Sequence, residues 1–163
     1  MTEPPVLTEL GFSDAEWGLL VGLPQSVLLA ASAIEPDGTR RTAAENEAGL
    51  EAITDGVESP SKLVSAVAAE ITSRLHEAEL PVFTPADPQS LVTDVLDRSR
   101  AALDLLAGKA EAADASAYRH WLVTIAESVV EAASSGGLLG LGGTVVSDAE
   151  SAFVADLSHL LKD

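Results

Sequence analysis

Residues 20–33, LVGLPQSVLLAASA, and residues 122–135, LVTIAESVVEAASS, decide how this chain folds. At an offset of 102 residues, Leu20, Val21, Leu23, Gln25, Ser26, Val27, Ala30, Ala31 and Ser32 fall on Leu122, Val123, Ile125, Glu127, Ser128, Val129, Ala132, Ala133 and Ser134. Most of these pairs are identical. With three extra residues in the second loop, Gly38, Thr39, Thr42, Ala44 and Glu45 then meet Gly143, Thr144, Ser147, Ala149 and Glu150. A match that runs through a helix, a loop and the next cap reads as a duplicated helix hairpin, over about 14–53 and 116–157.

The first copy opens in an uncharged stretch, residues 17–34. Its length is close to the roughly 20 apolar residues of a membrane span. Pro24, Gln25 and Ser26 sit in its middle and two glycines interrupt it, so it reads as a buried central helix. No window shows the period-two alternation of a half-buried strand, and the fold class is all-α with about six helices.

The end signals place those helices. Ser13 and Glu16 form a capping box for the first, which Gly22 and Pro24 are expected to kink or split. Thr42 and Glu45 form the box for the second, which ends at Gly56 with Leu50 and Ile53 inward. Ser59 as N-cap and Pro60 at the first helical position open the third, with the stripe Leu63, Val64, Val67, Ile71 and Leu75. Asp87 caps the fourth, with Leu91, Val92, Val95, Leu96, Leu103 and Leu106 inward. The fifth spans about 116–133 and buries Tyr118, Trp121, Leu122, Ile125 and Val129. Ser147 and Glu150 open the last, with Phe153, Val154, Leu157, Leu160 and Leu161 inward. The chain thus reads as one domain, 1–163, in which pseudo-symmetric hairpins (13–55 and 116–161) flank the two central helices three and four. Residues 1–10 read as an extended or loosely ordered tail.

Composition narrows the function. The chain has 163 residues, 26 of them acidic against nine basic, and a net charge of −17. That charge repels a phosphate backbone, so nucleic acid is not an expected partner, and it disfavours an anionic membrane surface. The absence of cysteine excludes a disulfide framework and thiolate chemistry and suits a reducing compartment. Residues 1–10 lack the basic start of a secretory signal, and the expected location is the cytoplasm. Few lysines and many carboxylates resemble a salt-adapted composition, which requires stability that rises with added salt.

An alanine-rich helix, a loop ending in Gly38 and Thr39, and a helix opened by Thr42 and Glu45 recur at Gly143, Thr144, Ser147 and Glu150. This arrangement resembles the TerB-like family of tellurite-resistance domains, which are small, helical and internally duplicated. The resemblance implies a divalent metal ion on Glu35, Asp37 and Glu45, and in the second copy on Asp148 and Glu150. The second loop departs from the pattern, with glycine and leucine where the first has Glu35 and Asp37. Clustered carboxylates with the Thr39 hydroxyl and loop carbonyls suit a hard cation, although the calcium-loop template is unmatched and Glu45 is already explained as a cap.

The glycine-rich segment 136–143 lacks the lysine and flanking strand of a phosphate-binding loop. It reads as an apolar loop folded onto the core, with Leu138, Leu139 and Leu141 as a partner-binding alternative. His76, His120 and His159 lie on separate helices, and no serine has a nucleophile context, so no catalytic residue is assigned. The expected function is a non-enzymatic acidic interaction module, metal-responsive or stress-related, acting through a protein partner or as a homo-oligomer. Two alternatives stay open: a metal-dependent enzyme with carboxylate ligands between the hairpins, and a membrane-associated helical protein.

Overall fold

The computed structural model describes residues 12–33, 39–76, 88–135 and 148–161. They form six α-helices and no strand: α1 (Asp14–Ala33), α2 (Thr39–Asp55), α3 (Lys62–His76), α4 (Pro88–Lys109), α5 (Ala112–Ser135) and α6 (Asp148–Leu161). A 3-10 turn, Gly56–Glu58, follows α2. The all-α reading holds. None of the described helices is long and apolar enough to cross a membrane.

The start of α1 follows its local code. The Ser13 amide donates to Glu16 Oε1 at 2.8 Å and the Glu16 amide donates to Ser13 Oγ at 3.2 Å. Phe12 stacks on Trp17 at 6.4 Å between ring centroids, an apolar staple across the cap. Lys109 at the end of α4 donates to Glu16 Oε1 at 2.6 Å. That contact, with the Ser13 hydrogen bonds, holds the Glu16 carboxyl below its ordinary range.

Pro24 does not split α1, which is continuous across it. Proline cannot donate to the carbonyl four residues earlier, so it leaves the Leu20 oxygen without its helical partner. The Tyr118 hydroxyl, from the second turn of α5, donates to that oxygen at 2.7 Å. A side chain of α5 thus replaces a backbone donor missing from α1.

Tyr118 is buried, and burial raises its pKa well above the ordinary value. The folded state therefore holds this proton while an unfolded tyrosine loses it near pH ~10. Stability from this group is complete below that pH and falls as pH rises, by about 1.4 kcal/mol per unit once the unfolded phenol is ionised. Tyr118 is the single tyrosine, so phenolate absorbance is expected to appear with alkaline unfolding and not before it. Phenolate in a protein that keeps its helical circular dichroism would contradict the buried hydroxyl.

Helices α1 and α5 hold the centre, where the sequence reading placed helices three and four. Along α1, Leu20, Val21, Leu23, Val27, Leu28, Ala30 and Ala31 are all buried. With no charge between Trp17 and Ala33, α1 has no face that favours water. In contrast, α3 carries the half-buried pair Arg74 and Glu70, and α4 carries the exposed pairs Asp94–Arg98 and Asp97–Arg100. These charged faces hold α3 and α4 at the periphery. Helix α4 packs on α1, α3 on α5 and the turn, and α6 on α5 and α4. The most extensive contact among the described residues runs between α2 and α5.

Three helix starts differ from the sequence reading. Helix α2 begins at Thr39, so Thr42 lies inside it and cannot be its N-cap. Helix α3 begins at Lys62 and is capped by Ser61, whose Oγ accepts from the Val64 amide at 3.3 Å and donates to Asp114 Oδ1 at 2.7 Å. Pro60 forces Ser59 to extended backbone, ψ 143°, which delays the helix. Helix α5 begins at Ala112, one turn before Ser116. On α4 the innermost line is Val95, Ser99, Ala102 and Leu106, while Leu91, Val92, Leu96 and Leu103 are only partly buried.

Candidate functional site

The interface of α2 with α5 is shaped by missing side-chain volume. A Cβ on Gly49 would lie 2.6 Å from Leu28 Cγ and 2.9 Å from Val129 Cγ2, so α2 sits against α1 and α5 at a distance that only glycine allows. At the end of α2, Gly56 lies under the Trp121 indole, 2.8 Å from its Cε2 at the position of a Cβ. Trp121 Nε1 donates to the Ala52 carbonyl at 3.0 Å. That carbonyl belongs to the last turn of α2, where helix oxygens lack following amides. Tyr118 and Trp121, one turn apart on α5, thus tie it to both α1 and α2.

Beside this seam runs an open groove of about 580 Å³. One wall is the α2 face with Ala48, Glu51, Ala52 and Asp55, and the other is the α5 face with Ala117, His120, Trp121, Thr124, Ser128, Glu131 and Ala132. Gly56, Ser59 and Val64 close one end. Both walls follow helical spacing, so each set shares one face. Alanine, glycine and serine make much of the floor, and the exposed Glu51, Asp55, His120 and Glu131 make the rim. Neither lysine nor arginine is among the lining residues. The groove can therefore take a ligand with a narrow apolar face and positive flanks.

The residues assigned from sequence lie elsewhere. Glu35, Asp37, Leu138, Leu139 and Leu141 fall outside the described residues. Glu45 lies in the second turn of α2 and Asp148 and Glu150 in the first turn of α6; their side chains are outside what is described. Among the described residues no three His, Asp or Glu side chains gather as a metal-ligand set. Sequence reasoning assigned no role to Glu51, Asp55 or Glu131. The available signal was the spacing of Ala48, Ala52 and Gly56 on α2 and of Ala117, Thr124 and Ser128 on α5, small residues along two helix faces. Comparison with models of known families, with curated proteins and with solved structures finds no match.

Proposed function

We propose that this chain is a non-enzymatic interaction module that docks a basic segment of a partner protein in the groove between α2 and α5. The observation that carries the reading is the rim of the α2 wall, where the exposed carboxylates of Glu51 and Asp55 lie one turn apart and neither lysine nor arginine is among the lining residues. A second copy is a poor occupant, because each copy brings a net charge of −17 to the contact. Nucleic acid is disfavoured by the same sign.

Exposed ion pairs contribute about 0.2–1 kcal/mol each. Two of them are worth roughly fivefold in affinity. The double variant Glu51→Gln, Asp55→Asn is expected to weaken binding of a labelled lysine-rich peptide by about that factor. A control variant, Asp94→Asn, Asp97→Asn, removes the same charge from α4 and is expected to bind almost as the parent does. Both are compared by fluorescence anisotropy, with melting curves to confirm folding. Equal losses in the two variants would reduce the effect to overall charge and overturn the groove as the site.

A further inference from the structure

We infer that α4 is a strap over α1 that opens as a unit while the other described helices stay packed. The strap is independent of the groove between α2 and α5. The α4 side chains that reach the core are Val95, Ser99, Ala102 and Leu106, at the four- and three-residue steps of one helix face. Over the roughly 16 Å from Val95 to Leu106, the middle of this seam is filled by a hydroxyl and a methyl group. Ser99 is fully buried, and its Oγ has no hydrogen-bond partner among the described residues. A buried hydroxyl without a partner penalises the closed helix and regains water when the helix opens.

The other outer helix with a charged face, α3, is held differently. Its Leu63, Val64, Val67, Ala68 and Ile71 are all buried, and the hydroxyl of its cap, Ser61, donates to Asp114 of α5. On α4, Leu91, Val92, Leu96 and Leu103 stay only partly buried. The pairs Asp94–Arg98 and Asp97–Arg100 lie within α4, so they support the helix without attaching it to a neighbour. Arg98 and Lys109 reach across to α1, where they donate to Ser26 Oγ at 3.2 Å and Glu16 Oε1 at 2.6 Å. Both donors are exposed, and water competes for contacts of this kind. An element with few buried apolar contacts is drawn from the low-stability end of a fold and opens first. Opening uncovers the α1 face around Ser26, on a helix with no charge between Trp17 and Ala33.

Because the chain has no cysteine, single thiols report the opening. Val95→Cys and Ala102→Cys place one on α4, Val67→Cys one on α3 and Val129→Cys one on α5, all at positions no more than 1% exposed. Reaction with an aromatic disulfide reagent is followed in the folded protein at several low urea concentrations, with a melting curve for each variant. Both α4 thiols are expected to react at one common rate, about tenfold or more above those on α3 and α5. Their rate is also expected to depend less on urea, because opening one helix exposes less surface than unfolding the chain. Adding Ser99→Ala is expected to slow the α4 thiols severalfold, since the closed helix then holds no unpaired hydroxyl. Equal rates with equal urea dependence at all four positions would mean that α4 opens only with the whole fold, and would overturn the strap. Unchanged α4 rates with Ser99→Ala would overturn it too, because the seam would lack its weak point.

Discussion

Replacing Tyr118 with phenylalanine is expected to lower stability by about 1–3 kcal/mol, the cost of leaving a buried carbonyl without a donor. The ring and its packing are kept, so the loss reports the hydrogen bond to the Leu20 oxygen at 2.7 Å. Its size depends on Pro24. In a chain carrying Pro24→Ala, the new amide at position 24 can donate to the Leu20 carbonyl, as in any uninterrupted helix. The same Tyr118→Phe change is then expected to cost about 1 kcal/mol less, a coupling measurable by urea unfolding of the four proteins in the cycle. Equal costs in both backgrounds would show that the tyrosine does not stand in for the missing amide.

Glycine-to-alanine changes are expected to have opposite signs at different helix positions. Intrinsic helix propensity favours alanine by about 0.8–1 kcal/mol. At Gly18 and Gly22 of α1 an added Cβ meets nothing within 4 Å, so each change is expected to stabilise by about that amount. At Gly49 the same atom meets Leu28 Cγ and Cδ1 at 2.6 Å. Overpacking of this kind costs about 1–3 kcal/mol. Packing therefore wins, and Gly49→Ala is expected to destabilise by about 1–2 kcal/mol net. Thermal melts of the three variants check this directly. A stabilising Gly49→Ala would mean that α2 does not approach α1 and α5 as described.

Local signals were legible in the sequence where their partners are near. The Ser13–Glu16 box and the Phe12–Trp17 staple each close within a few residues, and both form. The charge-free stretch of α1 identified a core helix. Thr42 misled because a serine or threonine three residues before a glutamate also occurs inside a helix, and α2 starts one turn earlier. Ser59 misled because the residue before proline is pushed to extended backbone, which passes the cap to Ser61.

Longer-range features were harder to read. The burial of α1 and α5 between the other helices depends on how faces compare across the whole chain, and one helix at a time does not show it. Pro24 announces an orphan carbonyl at Leu20, but nothing local announces that its donor is Tyr118, 98 residues away. The groove is harder still, because it is made by small residues on two helices about 70 residues apart in sequence. In a chain with 26 acidic residues, Glu51 and Asp55 stand out only once the fold places them on the rim of the groove.

The most direct test of docking between α2 and α5 is an amide chemical-shift map of isotopically labelled protein as the lysine-rich peptide is added. Occupation of the groove requires the largest changes at residues 48–59 and 117–132, together with the Trp121 indole Nε1 resonance. Changes centred on α3 or α4, or spread evenly over the acidic surface while the Trp121 indole stays fixed, would contradict it.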